Sequence, residues 1–527
     1  MNKINRLIYC IIDDVRSKQF FNWINRGILP NFKRLMENGL YCKNCITDFP
    51  SVTFPTQISM ITGTHTGDYR NELCHGVPNY NWMDRSFSPP LLRNYGSKKL
   101  DIYQINQDLG CNCKTILEMF PEDNTASITQ FINRGTKYHY PETKLKLIIL
   151  YLLLNHYPNL KNILKRANSL VVQKLLRLFT KPSKFFNKND PPVASLLWFM
   201  SSDIIMHLYG ANSFLYKLNL KHIDKVIGYL LKDLEKLGYL DETAIVITSD
   251  HGNYNGKTGQ DLLSIFHRVG LKNYHPRANP TGNMNIAEFG GLGFFYFKGE
   301  NVNSRLKNTE KWSLPTIKEL KSFGPKKINL LKYLFRIPGT KLMYYGDEKN
   351  TADNGVVYLK RKLPFNGKII TGKIEYRGSG KDLRTKYLCY EGEEDIFGYK
   401  NHNNAEKLVN NRFYSYREWM DATHLLDYPL YPDLLVRHFK NPRSADLIIS
   451  TQGERVYNIV HGKQKEKGVW NHDIGLRKSS IVPLIIGGTP EIPKKHISYC
   501  SIVDIVPTLM KLIGKNPHHS VMGLNLI

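Results

Sequence analysis

Long hydrophobic runs are missing from this 527-residue chain. No stretch approaches the roughly 20 apolar residues that cross a bilayer, so no membrane-spanning helix is expected. Leu7 to Ile12 is a short apolar run that ends at Asp13-Asp14, too brief for the apolar region of a secretory leader. Cysteine is sparse, with eight residues scattered along the chain. Cys42-x-x-Cys45 and Cys111-x-Cys113 have no matching second pair, which argues against a zinc ribbon. A reduced, cytoplasmic protein is the expectation, peripheral at most to the inner membrane surface.

Negative charge is also scarce. There are 46 Asp and Glu against 73 Lys and Arg, a formal net charge of +27. Such a surface draws anions, whether phosphate compounds, nucleic acid or acidic lipid, unless it reflects a general lysine-rich composition. The segment 143–189 has ten Lys/Arg and no acidic residue. Leu164, Ala167, Val171, Leu175 and Leu178 recur there at helical spacing. That pattern predicts an inserted basic helical subdomain, either a packed cap or an element lying on an anionic membrane.

What the chain does have is apolar runs that end in carboxylates or imidazoles. Leu7 to Ile12 ends at Asp13, Pro192 to Met200 leads to Asp203, and Thr243 to Thr248 ends at Ser249-Asp250-His251-Gly252. These read as buried strands. Helices are expected over Pro30 to Asn38, from Thr53 to about Thr62, along Leu220 to Leu234, and over Asp504 to Ile513. Further strands are expected at Gly290 to Phe297, Ala445 to Ser450 and Val482 to Ile486. Strands alternating with helices imply an α/β fold with a mostly parallel sheet. Residues 84–140 give no clear pattern, and 300–440 reads as a large basic, aromatic, loop-rich insertion.

In an open parallel sheet, ligands bind beyond the C-terminal strand ends. Asp13, Asp203 with His207, Asp250 with His251, and His472 could converge there. Mixed Asp/His sets suit zinc or manganese better than calcium, and so many groups suggest two ions. Phe49-Pro50-Ser51-Val52-Thr53-Phe54-Pro55 supplies a hydroxyl between two prolines, and a threonine needs a base or a metal to become a nucleophile. Gly252 to Thr258 has one residue too few between its glycines for a P-loop.

The ordered set Ile12-Asp13, Phe49-Pro50-x-x-Thr53-Phe54-Pro55, Asp203-x-x-x-His207, Ser249-Asp250-His251-Gly252 and Asn471-His472-Asp473 resembles the alkaline phosphatase superfamily. Its nucleotide pyrophosphatase/phosphodiesterase branch is the most similar. The resemblance covers about 6–82, 192–298 and 444–527. It implies an alkaline-phosphatase-like three-layer α/β sandwich, with a catalytic core over 1–142, 190–299 and 441–527. The helical insertion at 143–189 and a larger mixed insertion or cap at 300–440 would interrupt that core.

The resemblance further implies two divalent ions, zinc with manganese as alternative. Asp13, Thr53, Asp250 and His251 would hold one, and Asp203, His207 and His472 the other. Thr53 would be the nucleophile, passing through a threonyl-phosphate, and Asn79 would hydrogen-bond a phosphoryl oxygen, with Asn81 as a competitor. His461 competes with His472 for the last position. Asp14 stands where the family pattern has glycine and could be either a further ligand or a polar turn.

The implied activity is hydrolysis of a phosphodiester or pyrophosphate, with a phosphomonoesterase or phosphotransferase as alternative. A sulfatase is not expected, because Thr53 cannot become formylglycine and the partnering arginine is absent. The reading from another class is a non-catalytic nucleic-acid or anionic-membrane binding protein on the same fold. No specific nucleic-acid or protein partner is evident.

Overall fold

The apolar run of Arg6–Ile12 forms β1, which is buried along nearly its whole length and has a parallel neighbour on each side. A strand buried on both faces belongs at the centre of a covered sheet. The computed structural model describes residues 4–96, 101–143, 160–259, 262–299, 312–390, 394–457 and 467–527. It divides into two compact units, one of 1–65, 96–253 and 478–527, the other of 66–95 and 254–477.

The first unit is built on a nine-stranded sheet. After β1 come β2 (Leu40–Ile46), β3 (Thr125–Ile128), β4 (Tyr138–Tyr140), β5 (Ala194–Phe199) and β6 (Thr243–Thr248). Then follow β7 (Ile481–Gly488), β8 (Lys495–Ile497) and β9 (Cys500–Ser501). The spatial order is β8-β2-β7-β6-β1-β5-β3-β4, with β9 also on β2. From β6 through β4 every pairing is parallel, whereas β7 runs antiparallel to both β6 and β2. The α/β sandwich expected from the sequence is present, with a mixed sheet. β3 and β4 come from the stretch that gave no clear pattern, because strands this short carry too few residues for a period to show.

Helices cover the sheet. α1 (Thr53–Thr62) packs with Ile505–Leu512. α2 (Leu160–Thr180), α3 (Ser201–Tyr209) and α4 (Phe214–Lys236) form a second packed group. α4 begins where Ser213 Oγ accepts the Tyr216 amide at 3.2 Å, and buries Leu220, Ile223, Ile227, Leu230, Leu231 and Leu234.

The basic segment finds its place here. Leu164, Val171, Leu175 and Leu178 of α2 are buried, and the helix packs on α4 and β5. Asn168 ties it to its neighbours, donating to Asn219 at 3.1 Å and accepting from Ser201 at 2.8 Å. The apolar stripe is therefore spent on internal packing. The part of that segment at 144–159 lies outside the described residues.

The second unit contains an eight-stranded sheet whose recorded pairings are antiparallel. Its strands include Leu292–Phe297 and Leu447–Ser450, paired with each other, and the long hairpin of Asn354–Lys362 and Ile369–Arg377. Phe266, Phe289, Phe295, Phe297, Leu334 and Leu447 centre its core. Within the insertion expected from the sequence, the described residues of 312–390 and 394–440 include regular strands, and Val356 and Tyr358 on the open face of the hairpin blur its apolar–polar alternation. The strands expected near 292 and 447 are present and lie in this sheet.

Candidate metal centre

Three adjacent parallel strands deliver the site. β5, β1 and β6 lie side by side and release their chains at one edge. Asp13 follows β1, its amide donating to Phe199 O at 3.0 Å. Asp250 and His251 follow β6 across Ser249. β5 leads into α3, which carries Asp203 in its first turn and His207 one turn later. Thr53 is the first residue of α1, after Val52 in extended conformation, and Gly63 at φ +68° ends that helix. A helix N-terminus favours negative charge, which suits a nucleophile that must become anionic and a phosphoryl group beside it.

Asp13, Asp250 and His251 each present a ligand atom, all within 4.8 Å of one another. His251 Nε2 lies 3.2 Å from Thr53 Oγ1, 3.3 Å from Asp13 Oδ1 and 3.8 Å from Asp250 Oδ1. His207 Nε2 stands 3.3 Å from Asp203 Oδ1. The structure thus brings six sequence-predicted residues into one unit: Asp13, Thr53, Asp203, His207, Asp250 and His251. Asn79 and His472 belong to the other unit. Asn79 is buried there, its Oδ1 accepting the Tyr80 amide at 2.7 Å. His472 directly follows the strand Gly468–Asn471, its amide donating to Asn471 Oδ1 at 2.8 Å. Asn81 opens a short strand, Asn81–Asp84. His461 lies outside the described residues.

The electrostatics favour a cation. Burial, and then the charges of Asp250, Asp203 and Asp14, hold the Asp13 carboxyl well above its ordinary range. Burial alone would pull the His251 imidazole down, but Asp250, Asp14 and Asp203 outweigh it and push it up to about 9. His207 behaves alike: burial acts downward, and Asp203 beside it lifts the imidazole to about 9. Asp13 Oδ1 is buried and accepts no hydrogen bond from the described residues. A divalent ion would satisfy that oxygen and offset the repulsion among the carboxylates, and a mixed Asp/His donor set fits zinc or manganese.

Sequence reasoning missed the groups that hold these side chains. Trp198 Nε1 donates to Asp13 Oδ2 at 3.1 Å. Gln57 Nε2 donates to Asp250 Oδ2 at 2.7 Å, and Gln130 Nε2 to Gln57 Oε1 at 2.8 Å. Asn253 Nδ2 reaches both oxygens of Asp14, at 2.8 and 3.1 Å. Gln57 had a signal, since it lies one helical turn beyond Thr53 on the same face. Gln130 and Trp198 had none.

A family model described as type I phosphodiesterase / nucleotide pyrophosphatase matches residues 7–312, more than half of the chain. Among curated proteins, an uncharacterized pyrophosphatase/phosphodiesterase of Schizosaccharomyces pombe is 21% identical over 239 residues, covering 44% of this chain and 42% of that protein. Human bis(5'-adenosyl)-triphosphatase ENPP4 is 25% identical over 232 residues, covering 42% and 43% respectively. The matched stretch spans less than half the length of these relatives. Among solved structures, murine ectonucleotide pyrophosphatase/phosphodiesterase 5 aligns with TM-score 0.53 at 12% identity, over 97% of this chain and 96% of that one. Its human counterpart gives 0.52 at 13%, over 98% and 96%. These likenesses support the fold. The expectation of a cytoplasmic protein at the inner membrane surface is overturned by the same neighbours, which are named as ectonucleotide enzymes. By the family match and by a sandwich that delivers Asp13, Thr53, Asp203, His207, Asp250 and His251 to one sheet edge, the chain belongs to the type I phosphodiesterase / nucleotide pyrophosphatase family of the alkaline phosphatase superfamily.

Proposed function

We propose that this chain is a two-metal hydrolase that cleaves a phosphodiester or pyrophosphate bond with Thr53 as nucleophile. The observation that carries the reading is Thr53 Oγ1 at the N-terminus of α1, 3.2 Å from His251 Nε2 beside the Asp13–Asp250–His251 cluster. Asp13, Thr53, Asp250 and His251 would hold one ion; Asp203, His207 and His472 would hold the other. When bound, a pair of zinc or manganese ions supplies Lewis-acid stabilisation of the attacking and leaving oxygens.

The chain's own residues do the rest. Thr53 Oγ1 gives its proton to solvent and forms the new bond to phosphorus, while the bond to the leaving oxygen breaks and that oxygen departs as the anion or takes a proton from water. Water then displaces Thr53 from phosphorus and regenerates the hydroxyl. Trp198 and Gln57 keep the Asp13 and Asp250 carboxylates in place through the cycle. Asn79 would donate its side-chain amide to a phosphoryl oxygen, a contact that strengthens as charge builds there. The names of the relatives, a nucleotide pyrophosphatase family and a bis(5'-adenosyl)-triphosphatase, support a diester or pyrophosphate substrate.

Rapid acid quench during turnover of bis-p-nitrophenyl phosphate, followed by peptide mass spectrometry, tests the covalent step. A p-nitrophenyl phosphoryl adduct on the peptide bearing Thr53 is expected. Turnover with no adduct at any quench time, and undiminished in Thr53→Ala, would refute the mechanism.

A further inference from the structure

Asp14 occupies a costly position. Its backbone has φ +58°, the left-handed region that L side chains rarely adopt. Its carboxylate is fully buried, and a buried charge is unfavourable unless partnered. Asn253, also fully buried, supplies the partner by donating to both carboxylate oxygens, at 2.8 and 3.1 Å. The Asp14 backbone is held as well: its amide donates to Asp250 Oδ1 at 3.2 Å, and Tyr216 donates its hydroxyl to the Asp14 carbonyl.

The direction in which this carboxylate is held gives it a use. His251 has two distinct ring nitrogens. Nε2 faces Thr53 Oγ1 and Asp13 Oδ1, whereas Nδ1 faces Asp14 Oδ1 at 3.8 Å and the Gly252 carbonyl at 3.2 Å. An imidazole offers a lone pair to a cation from one nitrogen only when its proton sits on the other. The Gly252 carbonyl accepts the Nδ1 proton, the Asp14 carboxylate at ion-pair distance reinforces that placement, and the ring's lone pair is left on Nε2.

We propose that Asp14, clamped by Asn253, is a positioning residue that fixes the tautomer and ring orientation of His251, and is not itself a metal ligand. This rests on the metal-site reading above. Outer carboxylates of this type change metal affinity by about 10- to 100-fold.

The test is zinc affinity of the metal-stripped full chain, by competition with a chromophoric chelator, for wild type, Asp14→Gly and Asp14→Asn. Melting temperatures and cobalt(II) absorption spectra are recorded alongside. Glycine accepts the φ of this residue without strain, although the buried Asn253 amide loses its acceptor, so Asp14→Gly should fold with only a modest fall in melting temperature. It should nevertheless bind zinc about 10- to 100-fold more weakly, with an altered cobalt spectrum. Asp14→Asn keeps an acceptor towards Nδ1 and should restore most of the affinity and the wild-type spectrum.

Wild-type zinc affinity in Asp14→Gly would overturn this inference alone. So would equal loss in both variants accompanied by a fall in melting temperature, which marks a purely structural residue. A wild-type chain that takes up no zinc would overturn the metal-site reading and this inference with it.

Discussion

Thr53 Oγ1 stands 3.2 Å from Nε2 of His251, although 198 positions separate the two residues. One side chain begins a helix and the other follows a central strand, so their meeting is set by the packing of α1 against the sheet edge. If the hydroxyl is the reacting group, its chemistry matters more than the bulk of the side chain. Thr53→Ser should keep metal-dependent diester turnover within about 10²-fold of wild type, whereas the near-isosteric Thr53→Val should lose at least about 10³-fold. Steady-state kinetics on the three proteins checks this, and a Val variant as active as Ser would contradict it.

Protons compete with metal at this site. In the metal-free chain, His251 and His207 are both pushed up to about 9. Both must be neutral to coordinate, so zinc affinity should rise steadily from pH 6.5 towards pH 9, by up to about tenfold per pH unit for each proton displaced. The folding linkage has a definite sign. A pKa raised in the folded state contributes stability that is complete below the unfolded value and fades as pH rises through the folded one. For His251 the window runs from 6.5 to about 9. Thermal melts with chelator should therefore show a falling melting temperature across that window, and added zinc should reverse it. A metal-free melting temperature that climbs over the same range would be the opposite result.

Gln57 links Asp250 to Gln130 through bonds of 2.7 and 2.8 Å, and all three residues are buried. Gln57→Met keeps the length of the side chain and strips its donor and acceptor. The two partners are left unsatisfied, at a cost of about 1–3 kcal/mol each way the bond is counted. Urea denaturation with chelator present should register a loss of that size, together with weaker zinc binding. Unchanged stability would mean that the amide relay carries nothing.

Asn168 on α2 closes a ring with Ser201 and Asn219, at 2.8, 3.0 and 3.1 Å. If α2 is part of the core, Asn168→Leu should destabilise the chain by about 1–3 kcal/mol. Thermal unfolding would show it as a shift of the main transition. A separate early transition, with the main one unmoved, would instead mark α2 as a detachable element.

How much could be read in advance differed by element. β1, β5 and β6 were legible because strands buried on both faces are continuous apolar runs, and their terminal Asp13, Asp203 and Asp250 stood out against them. α4 showed its full period because one face alone is buried. The holding residues Trp198, Gln130 and Asn253 were invisible, since a hydrogen bond between remote segments leaves no local pattern. The 143–189 stripe was ambiguous for a related reason: an apolar helical face looks the same whether it meets a membrane or α4. In the second unit the strands near 292 and 447 were legible as apolar runs, whereas the hairpin was not, because the half-buried Val356 and Tyr358 alternate with the buried Val357 and Leu359 and blur the period.

The most direct measurement is hydrolysis of bis-p-nitrophenyl phosphate against p-nitrophenyl phosphate, by wild type and Thr53→Ala, each with added zinc or manganese and with chelator. The account predicts diester cleavage that requires metal, exceeds monoester cleavage, and disappears in Thr53→Ala while that variant still binds metal and melts as wild type does. Turnover that survives in Thr53→Ala, or in the presence of chelator, would contradict it.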